Sequence, residues 1–154
     1  MKVFLCSYNN FSLAIPMDLV SSIMLYKKHS DKICYIAENN NTYISLPLFF
    51  NFPSLNIYHG IILKDNKNDN SDDLNNKIIL LSTEIESETE IPNNNIFPIQ
   101  KSLKVQTLFA LTTEISQKAV FSDIFNGLFF IKNNLVLLLN PLSLIQIIKK
   151  EFLS

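Results

Sequence analysis

A chain of 154 residues, 47% of them hydrophobic, with a formal net charge of -1, is long enough to bury a core and reads as one domain, residues 1–154. Near-neutrality gives it no electrostatic draw toward nucleic acid or an anionic bilayer, so neither is expected as a partner. Its 13 basic residues are all Lys, which removes the bidentate guanidinium that reads phosphate, carboxylate or guanine.

In chain order, "VFLCSYNNFSLAI" gives two short β-type runs around Asn9-Asn10, a pair that tolerates positive φ and suits a tight hairpin turn. Phe4, Cys6 and Tyr8 line one face of the first run; Phe11, Leu13 and Ile15 alternate along the second. This alternation reads as a strand pair rather than a secretory signal, which needs a continuous apolar stretch. "PMDLVSSIMLYKKHSDK" places Val20, Ile23 and Met24 at helix-like spacing before a basic end, so it is read as one helical turn or an irregular edge segment. "ICYIAENNNTYISL" repeats the hairpin signature, "LPLFFNFPSLN" is a Pro-punctuated connection, and "IYHGIILKD" is a further strand. Residues 65–76, "DNKNDNSDDLNN", read as a flexible loop or an extended hairpin tip.

"KIILLSTEIESETEI" supplies one or two strands, and "PNNNIFPIQ" a loop with a buried anchor at Ile96-Phe97. Residues 101–124 are read as a strand, "VQTLFALTTEI", and a loop. In "FNGLFFIKNNLVLLLNPLSLI" two apolar runs meet at Lys132-Asn133-Asn134, and a closing helix runs from about Pro141 to Phe152. Pro141 suits a first helical turn, where its missing N–H costs nothing. Short strands with one terminal helix predict a mainly β protein, a barrel or a pair of small barrels. No apolar run reaches the roughly 20 residues that span a bilayer, so a cytoplasmic protein without membrane insertion is expected.

Reactive groups are sparse. His29 and His59 lie in different elements without metal-ligand spacing, and Ser7, Ser12, Ser45 and Ser82 lack a nucleophile elbow. Glu84, Glu86, Glu88 and Glu90 alternate, which as a strand gives an acidic face. A solvated edge that deters aggregation is favoured there over a site for a cation or a basic partner. Asp65, Asp69, Asp72 and Asp73 lack the central Gly and terminal Glu of a calcium loop. Gly60 and Gly127 are the only glycines, too few for a phosphate cradle. Cys6 and Cys34 lack CxxC spacing and read as reduced, buried thiols. No catalytic residue, metal or cofactor is implied, and the chain is read as a non-enzyme.

The order of the pieces carries more than any one of them. "FLCSYNNFSLAIPMDLVSSI" resembles the opening of the CheW-like family, a hairpin followed by a V-x-x-I pair at Val20 and Ile23. "KIILLSTEIESETEIPNNNIFPIQ" resembles its central strand and I-x-P tail, and "FNGLFFIKNNLVLLLNPLSLI" its final hairpin, with Gly127 at the family's glycine. The likeness covers about residues 3 to 145. It implies one domain of two intertwined, SH3-like, five-stranded β-barrel subdomains with a C-terminal helix. It also implies adaptor work, docking chemoreceptor cytoplasmic tips to the regulatory domain of the histidine kinase CheA. On this likeness the protein-binding candidates are Val20 and Ile23, near the family's receptor-facing groove, with Met24, Glu38 and Asn39 as further candidates. The alternative is that Val20 and Ile23 are core residues. The chain departs from the family where an N-L-R-G stretch is usual: it reads "YIAENNN" there, without Arg or Gly. Ile79 and Thr83 stand in the places of the usual glycine and aspartate. Two other readings stay open: the same fold serving a different partner, and a small β-barrel enzyme.

Overall fold

The computed structural model describes residues 1–8, 11–27, 35–38, 40–50, 52, 53, 55–64, 77–97 and 124–152. The expectations for Asn9-Asn10, His29, Cys34, Asn39, residues 65–76 and the strand within 101–123 lie outside them. The chain forms two compact units, one of Met1–Met17 with Ile85–Ser154 and one of Asp18–Glu84.

The first unit holds β1 (Lys2–Ser7), β2 (Ser12–Pro16), β8 (Ile85–Glu90), β9 (Phe125–Ile131) and β10 (Asn134–Leu139) in the order β8-β1-β2-β10-β9. The second holds β3 (Val20–Lys27), β4 (Tyr35–Glu38), β5 (Asn41–Ser45), β6 (Ile57–Leu63) and β7 (Ile78–Ser82) in the order β3-β6-β7-β5-β4. The mainly β class and the two five-stranded sheets are those expected from sequence.

The two sheets are built alike, a repeat that is not visible in the residues themselves. In each, a hairpin (β9–β10 or β4–β5) pairs in parallel with a third strand (β2 or β7). Two further antiparallel strands follow, ending at β8 in one sheet and β3 in the other. In each, the second hairpin strand runs directly into a helix: β5 into α1 (Leu46–Phe49) and β10 into α2 (Pro141–Phe152). The caps match too. The Ser45 hydroxyl accepts from the Leu48 amide at 3.3 Å, and the Asn140 carboxamide oxygen accepts from the Ser143 amide at 3.2 Å. Each satisfies an amide that the first helical turn leaves without a carbonyl. A proline near each start, Pro47 and Pro141, supplies a helical φ at no hydrogen-bond cost. Helix α1 replaces the plain connection expected at "LPLFFNFPSLN".

Alternation was expected along β1 and β2, but both strands are buried on both faces. Phe4, Cys6, Leu13, Ile15 and Leu137 fill one side of the first sheet; Val3, Ala14, Phe129, Val136, Leu138 and Ile91 form a cluster on the other. Tyr8 lies past the end of β1, stacked on Phe11 with ring centroids 5.1 Å apart. In the second sheet Ile44, Ile61 and Leu80 are buried on one face, with Tyr43, Tyr58, Ile79 and Leu81 clustered on the other. Continuous apolar runs such as "SLAIP" and "IILLS" have this meaning: there is no wet face to carry polar residues.

The β9–β10 turn uses Lys132 and Asn133 at φ 49° and 68°, the doubly left-handed geometry whose twist matches a hairpin, and Asn134 already belongs to β10. Phe97 is exposed rather than the buried anchor expected. Its backbone bonds Leu128 in both directions, at 2.8 and 3.0 Å, along the outer edge of β9, and only Ile96 of the pair tucks into the core cluster. Gly127 makes that approach possible, since a Cβ there would lie 3.0 Å from the Phe97 carbonyl oxygen and would strike the Ile96 side chain. Gly127→Ala is expected to cost about 1–3 kcal/mol through this overpacking. Urea unfolding checks it, and a loss below about 0.5 kcal/mol would mean that the 96–97 segment yields freely.

Candidate functional site

The segment Met17–Lys27 is not helical beyond a single 3-10 turn at Met17–Leu19; it continues as β3, which among the described residues is an edge strand paired on one side, to β6. The helix-like spacing of Val20, Ile23 and Met24 came from two rows of a strand read as one row of a helix. Pairing with β6 is Ile23 to Ile61, Met24 to Gly60, Leu25 to His59, Tyr26 to Tyr58 and Lys27 to Ile57, with a register shift between Val20 and Ser22. Ile23 and Leu25 therefore share one face, and Met24 and Tyr26 the other.

The strand is anchored from the Tyr26 side. Gly60 leaves room for the Tyr26 ring, which a Cβ would strike, and the ring meets Tyr43 edge-on at 5.7 Å between centroids. Desolvation holds the Tyr26 phenol above its ordinary pKa, with Tyr43 adding to the effect, so the ring stays neutral. Outward from this anchor the strand is apolar and wet. Ile23, Met24 and Leu25 are 37%, 54% and 68% exposed, and the adjoining Ile57 of β6 is 59% exposed. Three large apolar side chains, Ile23, Leu25 and Ile57, on one face of this sheet edge, with Met24 on the other, mark a surface suited to a protein partner.

Of the residues singled out from sequence, Ile23 and Met24 lie on this edge, and Val20 is half-buried at its start. Glu38 is exposed at the end of β4, at the opposite end of the strand order from β3, and Asn39 lies outside the described residues. Leu25 and Ile57 were missed. Leu25 could have been found by reading "SSIMLYK" with period two, whereas Ile57 joins the patch only through the β3–β6 register.

Among the described residues, groups with chemistry are scattered or shut in. Ser82 is paired across the sheet with His59, but its hydroxyl is fully buried and has no hydrogen-bond partner, so it is closed to substrate. The acidic residues Glu86, Glu88 and Glu90 lie exposed along β8, the edge of the first sheet. A shallow cleft of about 240 Å³ there is lined by Lys2, Met17, Glu88, Thr89 and Glu90. Among the described residues no three acidic, His or Cys side chains are grouped to hold a metal, and no helix is long and apolar enough to cross a membrane.

Ser82→Ala should leave stability unchanged or raise it, because it removes a desolvated hydroxyl without breaking a bond. Leu25→Asp should shift stability by less than about 0.5 kcal/mol, whereas Ile61→Asp on the same face should cost more than about 4 kcal/mol. Thermal melts of the three variants test this, and equal losses at residues 25 and 61 would place Leu25 in the core.

No protein-family model matches the chain, and no curated protein sequence does. Among solved structures it is similar to the scaffolding protein TtCheW from Thermoanaerobacter tengcongensis, with a TM-score of 0.57 and 14% identity over 90% of this chain and 83% of that one. The likeness is one of fold: this chain has the CheW-like architecture.

Proposed function

We propose that the chain is a non-enzymatic adaptor in bacterial chemosensory signalling, working in the cytoplasm and linking chemoreceptor tips to the regulatory domain of CheA. The observation that carries the reading is the bare apolar edge of β3, with Ile23, Met24, Leu25 and the neighbouring Ile57 turned to solvent. An adaptor needs a rigid scaffold and a docking surface, and no reactive group. The likeness to a CheW scaffolding protein supports the adaptor class through the fold, although a shared fold alone does not assign a partner. Val20 and Ile23, which match the family's V-x-x-I pair, and the further candidate Met24 lie on or beside this edge, which is why they are proposed as contact residues together with Leu25.

A second reading has its own support. Where the family carries Arg and Gly, this chain makes a β4–β5 hairpin from "YIAENNN", with Glu38 opposite Asn41 and Asn40 at φ 66°. Removal of the bidentate donor there favours the same docking fold with a different partner.

The deciding experiment is co-elution of the purified chain with the CheA regulatory domain and a receptor-tip fragment from the same organism. A ternary complex is expected. Met24→Asp together with Leu25→Asp should weaken it at least tenfold while the melting curve stays in place, since both side chains are exposed. No complex at about 100 micromolar, an affinity well below that of specific signalling interfaces, would favour the second reading.

A further inference from the structure

Among the described residues the two sheets end on equivalent strands, β8 and β3, each paired on one side to the inner strand of its sheet. Their surfaces are opposite in character. β8 carries Glu86, Glu88 and Glu90 in alternation, the usual charge guard against pairing with another chain, and the outer edge of β9 is covered by the Phe97 bridge. β3 has neither device: from Val20 to Tyr26 it contains no charge and no proline, and its only charged residue is Lys27 at the end.

We propose that the β3 edge pairs with β3 of a second copy of this chain, antiparallel about a two-fold axis at Met24, joining the two sheets into one. The strand is self-complementary in that register. Ile23 of each copy lies opposite Leu25 of the other on one face, Met24 faces Met24 on the other, and Ser22 lies opposite Tyr26. Apolar pairs of this kind are the unit of sheet stabilisation. Charge selects the direction. Antiparallel pairing sets each Lys27 opposite Ser21 and holds the two ammonium groups about 20 Å apart at ~3.3 Å per residue, beyond the screening length of about 8 Å. Parallel in-register pairing would bring them side by side. The closed two-fold contact uses the same patch on both partners, so it stops at a dimer. This inference goes beyond the adaptor reading and does not depend on it, and pairing would cover the surface proposed there for receptor or kinase.

Sedimentation equilibrium of the full chain is expected to show a dimer at about 100 micromolar, as befits an interface at the small end of the specific range. Leu25→Lys should lower the mass to the monomer with an unchanged melting curve. The register is tested in a Cys34→Ser background. Met24→Cys should oxidise to a disulfide-linked dimer, because residues opposite each other across antiparallel strands fall within disulfide reach, while Lys27→Cys should stay monomeric. A monomer at every concentration overturns the proposal, as does equal cross-linking from positions 24 and 27. The adaptor reading is judged apart from this by receptor and CheA co-elution, so a monomer that still binds them sinks only the self-pairing.

Discussion

Each sheet depends on one parallel joint, β2 with β10 in the first and β5 with β7 in the second. Parallel strands cannot be linked by a tight turn; the chain must leave the sheet and return, which takes a dozen residues or more. Between β5 and β7 that excursion is α1 and β6; between β2 and β10 it is the whole second unit and much of the first. A strand in this central position is covered on both faces and has neighbours on both edges. The sequence answers with runs that have no polar phase, Leu13 to Ile15 in β2 and Ile79 to Leu81 in β7, all buried. The caps at Ser45 and Asn140 belong to the same solution. The strand on the far side of each joint must turn straight into a helix, and a side-chain oxygen at the boundary makes that turn without stranding an amide.

Equivalent strands in the two sheets have been given different surfaces. The inner strands are constrained by packing from both sides and have little freedom to differ. Two of the outermost strands, β3 and β8, pair with one neighbour each among the described residues, and there the sequence diverges into apolar residues on one and carboxylates on the other. A bare apolar strand offers a surface on which another chain can pack, and an acidic one stays solvated.

Much of the fold could be read from the residues because its punctuation is local. Asn-rich turns between β-type runs located the hairpins β4–β5 and β9–β10, and Pro141 marked the last helix to the residue. What could not be read was set by distant partners. Helix α1 is four residues between a capping serine and a tight turn, too short to show a period. Burial on both faces of β1 and β2 comes from strands far along the chain. Phe97 looked like an anchor because it is aromatic, but the anchoring there is done by its backbone, which a side-chain pattern does not report. The candidate surface was half legible: Ile23 drew attention through the family-like V-x-x-I pair and Met24 through a helix-like spacing, whereas Leu25 needed the correct period and Ile57 the correct register.

The split composition of the first unit has a consequence during synthesis. Residues 1–17 are made well before the rest of their unit, and Leu13, already opposite Cys6 of β1, finds its second neighbour only when Leu137 arrives. At about 5–20 residues per second that wait lasts roughly 6–25 seconds, far longer than the microseconds in which a hairpin closes. The second unit is continuous in sequence, Asp18–Glu84, and every strand of its sheet has emerged well before then. The β1–β2 hairpin, with apolar side chains on both faces, gains β8 on one edge early and β10 on the other only late, and is thus a nascent segment that gains from a chaperone's cover while translation proceeds.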